Sequence, residues 1–303
     1  SACWMAWPAR VDLWPNIEAT KKAYAEVANT IAKYEPLKLL VLPSMLEDAK
    51  TYLSEKVETV GMDIDDSWTR DSGPNFLIND SGTLAGSTWE FNAWGNKFTP
   101  FNQDALMGGR ILNLVDVEEF TSNMIAEGGG ITIDGEGTVI TTESCFLNKN
   151  RNPNLTKQEI ENELCRTLGT EKVIWIPGDP NETGTDGHID GIAAFIEPGR
   201  VLVEINSDKN DPHYQVGMNN LEALKNVKDA RGRTLEIDFI YEGDYSILEF
   251  DETAEENKKW IEYLTLQRDN QLAQDYLESF IVSIQDIEGV TIDQKSLNAV
   301  ESS

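Results

Sequence analysis

The strongest constraint on the fold is a succession of elements that recurs along the chain. Residues 17–34 place apolar side chains at helical spacing and are stopped by Pro36. A short apolar strand follows at 37–42, closed by Pro43-Ser44, then a helical pattern at 45–56 and a strand at 57–62. Next comes a dense polar run, Asp63, Asp65, Asp66, Ser67, Trp68, Thr69, Arg70 and Asp71, ending at Gly73-Pro74. Asn79-Asp80-Ser81-Gly82 between two apolar triplets has the composition of a hairpin turn. The order then returns. Glu127-Gly128-Gly129-Gly130 leads into a hairpin around Asp134-Gly135-Glu136-Gly137, then a helix over 157–168 with Thr156 and Glu159 as a capping box. A strand over 172–176, the loop Thr185-Asp186-Gly187-His188-Ile189-Asp190, a strand over 201–205, a helix near 215–226 and a strand over 234–240 complete the alternation. This pattern predicts an α/β repeat whose polar loops converge on one face.

The character changes towards the C-terminus. Trp260, Ile261, Leu264, Leu272, Tyr276, Leu277, Phe280, Ile281 and Ile284 recur near helical spacing in a charged background, before a strand-like Gly289-Val290-Thr291-Ile292. The expected organisation is an α/β domain over 1–242 and a divergent, largely helical segment over 243–303, suited to self-association or to a protein partner. The chain begins at Ser1 with neither an initiator Met nor a signal-peptide pattern, so further residues are expected upstream. No apolar run is long enough to span a bilayer. The net charge of −28 argues against nucleic acid and anionic membranes, and fits a small cationic ligand as well as it fits simple solubility. Three cysteines, Cys3, Cys145 and Cys165, do not form a disulfide framework, so a reducing, cytoplasmic setting is expected.

Three loops set acidic groups beside glycine, where backbone can approach a ligand closely. They bring forward Asp71, Glu127, His188 and Asp190, with Trp68, Asp65 and Asp186 as further candidates for substrate binding. Paired carboxylates can hold a planar guanidinium by charge-assisted hydrogen bonds, and a histidine can move protons near neutral pH. Metal chemistry is a poorer fit. One histidine with no second His or Cys at ligand spacing is weak for zinc, and acidic loops without EF-hand spacing are weak for calcium. No metal and no cofactor are expected. The Trp-rich segments suit either the core or a cation–π platform.

The ordered set Trp4-Met5-Ala6-Trp7-Pro8, Asp65 to Pro74, Phe91-Asn92-Ala93-Trp94-Gly95, Glu127-Gly128-Gly129, Asp134 to Thr138, Asn148 to Pro153 and Thr185 to Asp190 resembles the agmatine deiminases. These belong to the guanidino-group-modifying superfamily, which includes the peptidylarginine deiminases. The resemblance runs to about residue 242. It implies a five-fold pseudosymmetric α/β propeller, here with its last unit missing or replaced by the helical tail. It also implies cofactor-free hydrolysis of agmatine to N-carbamoylputrescine and ammonia, a step of putrescine and polyamine metabolism. By the same resemblance Asp71 and Asp190 grip the guanidinium, His188 is the general acid/base, Glu127 supports the site, and a C-terminal cysteine is the nucleophile.

That cysteine's Gly-Gly-Gly-x-x-His-Cys context is not found in this chain. Cys145, at a strand end, and Cys165, inside a helix, read as packed structural thiols, and Cys3 as part of the fold; His213 reads as a surface loop residue. Two expectations follow: an agmatine deiminase-type hydrolase lacking its true ends, or a catalytically silent relative serving as a guanidine-binding or structural subunit.

Overall fold

The computed structural model describes residues 2–10, 14 and 16–242, so the expected helical segment over 243–303 lies outside the described residues. Among the described residues the core is a set of four separate three-stranded sheets taken in chain order. The first holds β1 (Cys3–Ala6), β2 (Leu37–Val41) and β3 (Val57–Gly61), all parallel. The second holds β4 (Asn75–Ile78), β5 (Leu84–Glu90) and β6 (Glu118–Ile125). The third holds β7 (Ile131–Ile133), β8 (Thr138–Thr142) and β9 (Lys172–Ile176), and the fourth β10 (Ala193–Glu197), β11 (Arg200–Ile205) and β12 (Glu236–Tyr241). In each of these three, an antiparallel hairpin is followed by a parallel third strand. A parallel neighbour needs a crossover, which a helix supplies. These helices are α1 (Ile17–Ile31) between β1 and β2, α2 (Met107–Val115) between β5 and β6, α3 (Lys157–Leu168) between β8 and β9, and α4 (Pro212–Leu224) between β11 and β12.

Most expected elements are present, with local differences. The helix expected over 45–56 is a 3₁₀ turn, Pro43–Met45, and one short helix, Leu46–Lys50. Thr51 Oγ1 donates to Asp48 O, and Ser54 N donates to Asn29 Oδ1 in α1, so the chain leaves the helix for another element. Thr156 and Glu159 form the expected capping box on α3, and Gly169 ends it in the left-handed region. His213 lies in the first turn of α4, behind Pro212, and not in a loop.

Apolar packing crosses from each unit to the next. Met107 and Ile111 of α2 pack on Ala6, Leu40, Met62 and Ile64 of the first unit. Met124 and Ala126, at the end of β6, meet Val139, Phe146, Ile160 and Leu164. Ile140, Ile174 and Ile176 of the third sheet share a cluster with Val201, Val203 and Ile205 of the fourth. The units are thereby held in order, and the polar loops that join successive sheets meet one another. Among the described residues no helix is long and apolar enough to cross a membrane.

Candidate active site

Three short helical turns meet at these loops. Thr69–Ser72 carries Asp71, Gly128–Gly130 follows Glu127, and Ile189–Gly191 carries Asp190 behind His188. His188 Nδ1 lies 3.8 Å from Asp71 Oδ1 and 4.0 Å from Asp190 Oδ1, and its Nε2 lies 3.7 Å from Glu127 Oε2. The four residues singled out for catalysis therefore form one cluster, drawn from sites up to 119 positions apart (190 − 71).

Gly129 is the hinge of this packing. Its N–H donates to Asp71 Oδ1 at 2.9 Å. A Cβ there would stand 2.5 Å from His188 Nδ1, 2.6 Å from Asp190 Oδ2 and 2.7 Å from Asp71 Oδ1. Trp94 Nε1 donates to the other oxygen of Asp71 at 3.1 Å. Trp94 reaches it from a turn in which Ala93, Trp94, Gly95 and Asn96 all have positive φ, tied by Gly95 N to Asn92 Oδ1. Only the glycine adopts that region freely.

Behind His188 lies a buried ionic layer. Arg151 Nε donates to Glu127 Oε1 at 2.6 Å and Nη1 to Asp186 Oδ2 at 2.9 Å, while Nη2 donates to Thr185 O. Lys97 also pairs with Asp186 at 2.7 Å. Burial works against the Asp186 carboxylate, but Lys97, Asn150 and Arg151 outweigh it and hold its pKa below the usual range. Glu182 is held down to about 2: burial opposes ionisation, but Thr185 Oγ1 and the N–H groups of Gly184, Thr185 and Gly187 all donate to it. It thus shapes the His188 loop, where Thr185 Oγ1 also accepts from His188 N. Burial alone would lower the His188 pKa, yet Glu127, Asp71 and Asp190 together raise it above its ordinary value. The imidazolium is favoured among three carboxylates. Burial raises the Asp71 carboxyl, with His188 and the Gly129 N–H opposing.

A cavity of about 570 Å³ opens on the Nδ1 side of His188, lined by Trp14, Asp66, Trp68, Arg70, Asp71, Trp94, Phe98, Gly184, Thr185, His188 and Asp190. Trp68 and Trp94 meet edge to face at 6.3 Å. Of the further candidates, Trp68 lines this cavity, half-exposed. Asp65 accepts from Gln103 N at 2.7 Å and supports the loop from outside the cavity, and Asp186 faces Arg151 and Lys97. Asp66, Trp94, Phe98 and Arg151 were not among the site residues expected from the sequence, although Asp66, Trp94 and Arg151 stand in the motifs that carry the family resemblance. Cys145 is fully buried, as expected of a structural thiol, but its Sγ lies 4.0 Å from Glu127 Oε2, on the Nε2 side of His188. Burial, then Glu127, pushes that thiol well above the ordinary range. Cys3 and Cys165, in β1 and α3, are half-buried.

An aromatic cleft ending in paired carboxylates around a histidine, in an α/β fold, has the chemistry to hold a small planar cation and to move protons. Known proteins agree. The profile of the Porphyromonas-type peptidyl-arginine deiminases matches residues 1–283. A candidate agmatine deiminase of Legionella pneumophila (strain Paris) is 46% identical over 239 residues, 78% of this chain and 69% of that protein. The agmatine deiminase of Pseudomonas fluorescens is 40% identical, covering 77% of this chain and 66% of its own. The solved agmatine deiminase of Enterococcus faecalis superposes with a TM-score of 0.76 at 35% identity, over 80% of this chain and 68% of that one. The chain belongs to this family, the agmatine deiminases among the Porphyromonas-type peptidyl-arginine deiminases, and spans about two thirds of the length of these relatives.

Proposed function

We propose that this chain carries the guanidine-binding and proton-transfer centre of an agmatine deiminase, a hydrolase releasing ammonia from agmatine or a close guanidine and leaving a carbamoyl product. The carrying observation is the placement of Asp71 and Asp190 within 4.0 Å of His188 Nδ1, all three lining one aromatic cavity. The two carboxylates take N–H groups of the guanidinium by charge-assisted hydrogen bonds, and the tryptophans flank the planar cation and its aliphatic chain. His188, whose protonated form its acidic neighbours favour, donates a proton to the departing nitrogen and, once neutral, activates the hydrolytic water. The covalent route of the family also needs an attacking thiolate. Cys145 lies on the far side of His188 with its proton held tightly, so we do not assign it that role. The silent-relative alternative is not favoured, since relatives at this identity are agmatine deiminases by name.

Four successive sheet units among the described residues support a five-fold pseudosymmetric arrangement about the site, its last unit missing or replaced by the segment over 243–303, which lies outside the described residues. Cytoplasmic location and self-association through residues 243–303 complete the proposal; sedimentation of the chain tests the latter. The central test measures agmatine binding by calorimetry and ammonia release side by side. Binding lost in Asp190→Ala, with turnover lost in His188→Ala, is the expected result. Equal binding by wild type and Asp190→Ala would refute the site.

A further inference from the structure

We infer that His188 Nε2, Cys145 Sγ and Glu127 Oε2 form a site for a thiophilic divalent cation such as zinc. The three side chains are buried, and these ligand atoms all lie within 4.8 Å of one another. They come from the His188 loop, the turn after β8 and the turn before β7. Among the described residues His188 Nε2 has no hydrogen-bond partner, although its side chain is only 4% exposed, and Glu127 Oε2 stands 3.7 Å from it. Glu127 gives its other oxygen to Arg151, and among the same residues Oε2 accepts only from the Cys145 thiol at 4.0 Å, a contact that loss of the thiol proton to a metal would free. Zinc–ligand bonds of about 2.0–2.3 Å in a tetrahedron place ligand atoms about 3.3–3.6 Å apart. The separations of 3.7 Å and 4.0 Å from Glu127 Oε2 need contractions of a few tenths of an ångström, and the third pair, Nε2 to Sγ, starts from within 4.8 Å. The thiolate selects zinc or cobalt over magnesium and calcium. On binding, Cys145 Sγ gives its proton to solvent and forms the S–metal bond, and the ion's two positive charges face the thiolate and a carboxylate that it shares with Arg151. A water takes the fourth position.

Metal at Nε2 removes His188 from proton transfer, so the ion acts as a reversible brake; this consequence rests on the agmatine deiminase reading, while the binding itself does not. The test titrates the metal-free full chain with Co²⁺ and follows thiolate-to-cobalt charge transfer and the visible bands of tetrahedral cobalt. Expected are one equivalent bound per chain, no charge-transfer band in Cys145→Ser, an unchanged band in the Cys3→Ser/Cys165→Ser double variant, and at least tenfold weaker binding in His188→Gln. If Cys145→Ser fails to fold, the last two variants still decide the case. Absence of saturable cobalt binding, or a charge-transfer band lost with Cys3 and Cys165, overturns the site. Cobalt binding without agmatine turnover in the metal-free chain would uphold the metal site and count against the deiminase reading alone. Where turnover is present, stoichiometric Zn²⁺ should abolish it and a chelator restore it; full activity with zinc bound would overturn the brake.

Discussion

At Gly129 the loss of one methyl group is what lets the site exist. Gly129→Ala puts a Cβ against His188, Asp190 and Asp71 at once, all within 2.7 Å. Agmatine affinity should fall at least tenfold while far-ultraviolet circular dichroism stays native; a variant that binds normally would show that the cluster can open at no cost. Arg151 illustrates a different dependence. It is 1% exposed and supplies the pairing charge for Glu127, itself 0% exposed. Arg151→Met leaves a buried carboxylate unpaired and should cost about 3–5 kcal/mol in urea unfolding, with part of it recovered in the Glu127→Gln/Arg151→Met double variant. Asp71, Glu127, His188 and Asp190 were legible because each stands in a short motif beside glycine. Cys145, Arg151 and the pairing of Asp186 were not, because their partners come from loops far apart in sequence. A search for metal-ligand spacing along the chain likewise cannot find a Glu–Cys–His set assembled by three separate turns.

The elements themselves were largely readable, since hydrophobic period and capping chemistry act over a few residues. The α3 capping box is the clearest case, and Thr156→Ala should lower stability by about 1 kcal/mol without changing agmatine affinity. The Asn92–Gly95 turn should behave in the opposite way. Gly95 has φ +90°, and a Cβ there would meet Asn150 Nδ2, the group that donates to Asp186. Gly95→Ala should therefore weaken agmatine binding severalfold through Trp94 and Asp71, beyond any loss of stability, as calorimetry beside thermal melts would show. Where the sequence reading overextended an element, as at 45–56, a side chain of another element had captured the chain. Local periodicity does not encode such a contact.

For the molecule as a whole, acid–base balance gives two further predictions. Asp104 is 4% exposed, and burial pushes its carboxyl up to about 7 even though the N–H groups of Asp65 and Asp66 donate to it. Glu204 is likewise raised to about 7 by burial and by Glu242. Each binds its proton more tightly folded than unfolded, so its contribution is complete below the ordinary carboxylate pKa near 4 and is lost as pH rises to about 7, at roughly 1.4 kcal/mol per pH unit per group. Asp104→Asn should flatten this decline in chemical denaturation between pH 4.5 and 7.5. The net charge of −28 acts at longer range. Fifty-three acidic against 25 basic side chains repel one another in the compact state and attract a cation towards the cavity. Salt shortens the reach of both effects, from about 30 Å at 0.01 M to about 8 Å at 0.15 M. Raising NaCl over that range should therefore increase the melting temperature by a few degrees and weaken agmatine binding severalfold, two responses of opposite sign from one field. An uncharged alkylurea, which lacks both the guanidinium and the amine of agmatine, separates them, because its binding should not respond to salt while the melting temperature still rises. Agmatine affinity independent of salt would confine the attraction to Asp71 and Asp190, leaving the surface charge to solubility alone.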